Sequence, residues 1–231
     1  MTETDSRVLP AATKPTRAYR GIAPEQRALE RKQRLLAAGL ELFARQGYAR
    51  TPIEQLCAEA KVTTRHFYAL FPSREALLTE LYDRIISDLR NAVLLAISAP
   101  EEALEAKLPL AVQALIKHYL ADARVARVGV LESVGVSAAM EKRRRAAIHD
   151  IAGIIESYID VLVARGELPA HDYHLVSVAV VGGINELLAE WLTVAAPPSI
   201  ESLSHEVTRI LYALIRGSAV LPNLSLKETA T

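Results

Sequence analysis

The chain holds one cysteine, Cys57, among 231 residues. No intrachain disulfide can form, which excludes a cross-linked secreted scaffold and fits a reducing compartment. Long apolar runs are also missing. The longest uncharged stretch lies between Asp172 and Glu186 and counts 13 residues, short of the ~20 needed to span a bilayer. The first twenty residues are polar, with no apolar core and no cleavage-site pattern, so no signal peptide is expected. A cytoplasmic protein with no membrane partner is the expectation. Strand-like alternation persists nowhere, and there is neither an internal repeat nor a low-complexity tract.

The usual signatures of catalysis are absent as well. No Ser/His/Asp or Cys/His spacing, phosphate-binding loop or convincing metal set is present. Neither an enzyme nor a cofactor is therefore expected. His171 and His174 have a metal-compatible spacing, but two histidines without a third ligand are weak grounds for a metal, and a polar helix start accounts for them equally well.

What the chain does have is apolar material, 51% against 23% charged residues, enough for a packed core. Net charge is zero but unevenly spread. Residues 1–75 carry 13 Lys and Arg against 8 Asp and Glu, and residues 76–231 carry 14 against 19. A basic front and an acidic rear point to a polyanion as the partner of the front.

The pattern is helical almost throughout. Residues 1–23, with Pro10, Pro15 and Gly21, read as a flexible arm that carries Arg17 and Arg20. Leu36, Leu40 and Phe43 then repeat at i, i+4 and i+7, one buried helix face, and Gly47 stops that helix. Thr51 as N-cap, Pro52 at the first helical position and Glu54 closing a capping box start a short helix to about Ala60. Its inward residues are Ile53, Leu56, Cys57 and Ala60. Lys61-Val62-Thr63 forms a tight turn, and Thr63 caps a second short helix that ends near Leu70-Phe71. Pro72 and Ser73 break the chain, and Ser73 caps a long helix from Arg74. Further breaks at Pro100, Asp122, Ser137, Gly166–Pro169 and Pro197-Pro198 leave five or six more helices. The fold class is all-α, with an N-terminal three-helix unit (24–73), a larger helical bundle (74–220) and a C-terminal tail (221–231).

Two short helices joined by a three-residue turn and braced by a longer one form a helix-turn-helix. The second short helix would enter the major groove of double-stranded DNA with Thr64, Arg65 and His66 near the base edges. Arg65 is suited to a bidentate contact with guanine, worth roughly 1–3 kcal/mol of discrimination. Phe67 and Phe71 read as core anchors. Tyr68, Thr51 and Ser73 are candidates for phosphate contacts, the last two at helix N-termini, and Lys61 and Arg74 add positive charge nearby.

The stretch from Arg34 to Leu78 resembles the N-terminal domain of the tetracycline-repressor (TetR) family. The matching residues run from Ala37-Ala38, Leu42-Phe43 and Gly47-Tyr48 through Thr51, Ile53, Leu56 and Ala60-Lys61-Val62-Thr63. They continue with Phe67-Tyr68-Ala69-Leu70-Phe71 and close on Ser73-Arg74-Glu75-Ala76-Leu77-Leu78. The family usually has Gly where Lys61 stands, a small residue where Arg65 stands and Lys where Arg74 stands. The resemblance implies a homodimeric repressor, paired through its last two long helices (about 172–195 and 199–216), that a small organic effector releases from a palindromic operator. The helix from Arg74 would couple effector pocket to reading head.

Within the bundle, Gly182-Gly183 costs ~1 kcal/mol per Gly relative to Ala, which close helix approach at a dimer interface or room for a ligand would explain. Glu132 lies on an apolar stretch, and a buried carboxylate needs a partner. His118, Tyr119, Glu132, Tyr158, Asn185 and Trp191 are the candidate pocket residues, and rings with few polar groups suit a partly apolar effector. Glu141-Lys142-Arg143-Arg144-Arg145 reads as a solvated face. The alternative function is a helical protein-interaction module whose helix-turn-helix contacts a protein.

Overall fold

The computed structural model describes residues 24–98 and 104–220. The expected arm (1–23), the break at Pro100 and the tail (221–231) lie outside them. Every regular element among the described residues is a helix.

Helix α1 (Pro24–Gln46) buries Leu35, Leu36, Leu42 and Phe43 along one face. Gly39 sits on that stripe because α4 passes close by: a Cβ there would lie 2.6 Å from the Leu77 side chain. Gly47, at φ +91°, ends the helix. Helix α2 (Ile53–Ala60) buries Leu56, Cys57 and Ala60, with Ile53 partly buried. Its start differs from expectation. Pro52 is the N-cap, in extended conformation, and no side chain caps the helix. Thr51 is instead fully buried, and its hydroxyl donates to the Gly47 carbonyl at 2.8 Å.

Helix α3 (Thr64–Tyr68) is capped by Thr63, which accepts from the His66 N–H. The chain keeps turning beyond it, with the Phe71 N–H donating to the Phe67 carbonyl at 2.8 Å. Helix α4 (Arg74–Ile97) opens on Ser73, whose hydroxyl accepts from the Ala76 N–H at 3.0 Å. The bundle follows: α5 (Leu104–Leu120), α6 (Ala123–Ala126), α7 (Ala138–Ala164), α8 (His174–Thr193) and α9 (Ile200–Val220). Asp122 and Ser137 cap α6 and α7, so both breaks read from the sequence are helix starts.

One element was not foreseen. Arg127–Glu132, directly after α6, forms a π-helix, a wider turn with one extra residue. Gly129 lies at its centre, where a Cβ would come within 3.1 Å of the Tyr119 ring and 3.3 Å of Ile85.

The largest apolar cluster joins the two units, running from Leu35 to Ile215, with two smaller clusters around Tyr82, Met140 and Ala147 and around Ile151, Ala152 and Val181. Helix α4 is the shared member. Leu77 and Leu81 pack against Gly39 of α1, and Ile85, Leu89 and Val93 extend the buried stripe into the bundle. Helix α5 packs between α4 and α9, and α8 between α7 and α9. Helix α8 has 20 residues and is apolar enough, by length and composition, to cross a membrane. It exceeds the 13-residue stretch counted from sequence because it runs on past Glu186 and Glu190. Its buried face holds Val180, Ile184 and Leu188, and 28% of its most apolar window is buried.

Lys61 is the one non-glycine residue with positive φ among the described residues, at +52°. Left-handed backbone costs an L-residue about 1 kcal/mol. Lys61→Gly should therefore raise the unfolding free energy by about 0.5–1 kcal/mol in urea titrations.

Candidate nucleic-acid interface and bundle cavity

Helix α3 presents one exposed face. Thr63, Thr64, Arg65, His66 and Tyr68 are all exposed, as are Lys61 before the helix and Ser73 after it. The opposite side is anchored by Phe67 and Phe71, both buried and in ring contact at 5.9 Å. Tyr68 packs edge-on to Phe67 at 5.5 Å, yet the residue is 55% exposed. The Thr63 hydroxyl lies 2.9 Å from His66 Nδ1, which orients that ring. Arg65 makes no ion pair among the described residues.

Two expected contact residues serve the scaffold instead. Thr51 has its side chain inside, as described above, with Gln46 donating to its hydroxyl at 3.3 Å. Arg74 turns back onto the loop after α1. Its guanidinium donates to the Thr51 carbonyl at 2.6 Å and lies 4.3 Å from the Tyr48 ring centre. A cation so engaged braces the face rather than offering a free charge.

Glu132 completes this joint from the bundle side. Its carboxylate accepts from the Tyr48 N–H at 2.8 Å, at the C-terminal end of the π-helix. Glu132 therefore leaves the proposed pocket set. The partner its position demanded is a backbone N–H of the N-terminal unit, not an effector.

The bundle cavity lies between α4, α5, α7 and α8. Of the candidate pocket residues, Tyr119 and Asn185 line it, together with Tyr82, Gly129, Arg144 and Ile151. Burial pushes the Tyr82 phenol up to about 12 and the Tyr119 phenol further upward. Both stay neutral hydrogen-bond donors near neutral pH. Tyr158 lines an adjoining apolar chamber. The other two candidates lie elsewhere. Trp191 lines a groove between α1 and α6 and donates its indole N–H to the Pro198 carbonyl at 2.8 Å. His118 is half-buried and stacks edge-on to Tyr119 at 6.3 Å, lining none of these cavities.

Sequence reasoning missed Arg144 and Tyr82. Arg144 belongs to a run read as a solvated face, but only 19% of its side chain is exposed, and it pairs with Glu141 at 3.0 Å. A signal was present: Arg144 falls on the stripe of Met140, Ala147 and Ile151. His171 lies before α8 rather than on it, with its ring against Tyr173. His174 stacks on His149 and contacts Glu156 at 3.0 Å.

The comparisons decide the family. Residues 35–81 match the profile described as bacterial regulatory proteins of the tetR family, and residues 101–215 match the tetracyclin repressor-like C-terminal domain. The chain belongs to the TetR family. Among curated relatives, the uncharacterized HTH-type transcriptional regulator YuxN of Bacillus subtilis (strain 168) is 33% identical over 66 residues, which is 27% of this chain and 23% of YuxN. YerO of the same organism is 39% identical over 49 residues, 21% of this chain and 17% of YerO. The chain thus aligns with a quarter or less of either curated relative. Solved structures superpose on most of this chain. A putative TetR-family transcriptional regulator from Syntrophomonas wolfei superposes with TM-score 0.71 at 18% identity, over 84% of this chain and 98% of its own. The regulator FadR from Bacillus subtilis, solved in complex with stearoyl-CoA, superposes with TM-score 0.67 at 19% identity, over 80% and 98%.

If the Tyr48 N–H depends on Glu132 as an acceptor, Glu132→Ala should destabilise the protein by about 1–3 kcal/mol. Glu132→Gln, which keeps a carbonyl acceptor, should recover most of that. Equal losses in the two variants, read by urea denaturation, would assign the effect to charge instead.

Proposed function

We propose that the protein is a homodimeric transcriptional repressor that reads a palindromic DNA operator through α3 and is released by a small organic effector bound in the bundle. The observation that carries this reading is the exposed face Thr63–Tyr68, held rigid by Phe67 and Phe71, within the segment that matches the family's N-terminal profile. Arg65 reads a base, with Thr64 and His66 beside it. Lys61, Thr63, Tyr68 and Ser73 meet the phosphates that position the helix. Thr51 and Arg74 act one step back, by holding the loop on which the face rests. A protein-binding role for this face has no observation in its favour. The function is binding in the cytoplasm rather than turnover.

Dimerisation is assigned to the outward faces of α8 and α9. Leu175, Ile210 and Leu214 are exposed large apolar residues there. A Cβ added at Gly182, Gly183 or Gly217 would meet nothing within 4 Å, which leaves room for a second helix to approach. The FadR complex with an acyl thioester supports an effector with apolar character. Helix α4 links the two activities, since it lines the cavity and begins at the brace on the reading head.

Selection from randomised duplex DNA should enrich a palindrome whose half-sites lie about one helical turn apart. Arg65→Ala should lose about 1–3 kcal/mol of preference at one base position. Tyr68→Phe should weaken all sequences evenly. Absence of any enriched sequence, with no binding even at low salt, would overturn the reading.

Ile210→Glu combined with Leu214→Glu should convert the dimer to monomers in analytical ultracentrifugation, with the helical circular dichroism retained. Palindrome binding should fall with it.

A further inference from the structure

The cavity between α4, α5, α7 and α8 gathers hydrogen-bond donors. Tyr82, Tyr119, Arg144 and Asn185 line it, and no carboxylate does among the described residues. Tyr82 and Tyr119 are only 4% and 3% exposed. Neither phenol, nor the Asn185 amide, has a hydrogen-bond partner among the described residues. Buried polar groups are nearly always partnered, so two orphan hydroxyls from different helices at one cavity need a reason. Gly129 keeps the approach to one of them open: a Cβ there would lie 3.6 Å from the Tyr119 hydroxyl.

Arg144 supplies the charge. Only 19% of its side chain is exposed, and one Glu141 oxygen holds it at 3.0 Å. The other Glu141 oxygen accepts from the Gly135 N–H at 2.8 Å, so Glu141 is divided between the guanidinium and the loop after the π-helix. Burial raises both phenols, and the Arg144 charge acts on each in the opposite sense. The guanidinium is therefore within electrostatic reach of both hydroxyls. The rest of the wall is aliphatic, with Leu89, Leu115, Ile151 and Ile184. The cavity is small, about 30 Å³, which gives room for roughly two or three groups the size of a water molecule.

We propose that this cavity binds a compact monocarboxylate the size of acetate, held by the Arg144 guanidinium, the Tyr82 and Tyr119 hydroxyls and the Asn185 amide, with its alkyl end against the aliphatic wall. The proposal rests on the effector-responsive reading above and adds the ligand class and the groups that select it. Donors from four side chains call for a ligand that accepts at several positions within a very small volume. A carboxylate does so with two oxygens, and it matches a guanidinium in shape and charge. One arginine offsets one negative charge, so a dianion would carry an uncompensated charge out of water. A neutral amide of the same shape would turn its own N–H groups toward donors. A long alkyl tail exceeds the space. Binding also competes with Glu141 for Arg144, and the Gly135 N–H that shares Glu141 follows closely on Glu132, the anchor of the Tyr48 N–H.

Acetate, acetamide, phosphate and hexanoate are titrated into the full-length protein at constant ionic strength. Binding is read by ligand-detected NMR, and release from the selected operator is followed separately. Acetate should bind saturably and release DNA, and each of the other three should bind at least tenfold more weakly. Tyr119→Phe and Arg144→Gln should each weaken acetate at least tenfold. Because the Tyr119 hydroxyl has no protein partner, Tyr119→Phe should leave the urea midpoint of the ligand-free protein unchanged or raise it. A hydroxyl kept for structure alone would lower that midpoint on removal and leave acetate binding as it was, which would overturn the site. Should this variant fail to fold, Tyr82→Phe makes the same comparison. Acetamide or phosphate binding as tightly as acetate would overturn the carboxylate assignment. No acetate binding by a protein that still reads its operator would overturn the inference and leave the DNA-reading proposal standing. Acetate binding without any enriched operator would uphold the site and overturn the DNA-reading proposal instead.

Discussion

The loop from Gly47 to Thr51 is where the two halves of the molecule hold each other. Within the loop, the Thr51 N–H donates to the Tyr48 carbonyl at 3.2 Å and the buried Thr51 hydroxyl to the Gly47 carbonyl at 2.8 Å. Two outside groups also fix it: the Arg74 guanidinium on the Thr51 carbonyl and Tyr48 ring, and the Glu132 carboxylate on the Tyr48 N–H. One of these belongs to α4 and one to the π-helix, so the start of α2 depends on elements that also wall the bundle cavity. The contacts are short, polar and partly shielded from water, conditions under which hydrogen bonds to charged groups contribute more than the usual net value.

The apolar core transmits that dependence. Phe67 and Phe71 fasten α3 to the same buried cluster that includes Leu77 and Leu81 of α4 and continues to Leu211 and Ile215 of α9. No soft boundary separates reading head from bundle, and close-packed interiors shift in discrete steps rather than yielding continuously. Ion pairs at Lys32–Glu80 and Arg124–Glu41 join α1 to α4 and α6 at the surface. Such exposed pairs add little stability, but they set the orientation of α1 against the elements beneath it.

Much of this was legible in the residues. Apolar spacing in α1 and α2, the caps at Thr63 and Ser73, the breaks at Asp122 and Ser137, and the core roles of Phe67 and Phe71 all appear where local chemistry places them. Failures came where a side chain's role depends on distant partners. Thr51 has the chemistry of an N-cap, but tertiary packing draws it inward and leaves Pro52 at the helix start. Arg74 looks like a free cation until the fold sets Tyr48 beneath it. Glu132 was marked as needing a partner, yet that partner lies 84 positions away in the chain. Trp191 and His118 have the ring chemistry of pocket residues but occupy other faces of their helices. Arg144 was hidden by its charged neighbours, although its spacing from Met140 and Ile151 placed it on the buried stripe.

The π-helix carries a consequence of phase. One surplus residue in Arg127–Glu132 rotates everything after it by about 100° relative to a regular α-helix of the same length. With the wide turn in place, the Glu132 carboxylate faces the Tyr48 N–H. If the turn tightened to α geometry, the same side chain would point a quarter-turn or more away, and the loop before α2 would lose that anchor. Gly129, held between Tyr119 and Ile85, sits at the centre of this turn and on the wall of the cavity. The bundle thus contains a register that can be counted in whole residues, and the reading head is fastened to one setting of it.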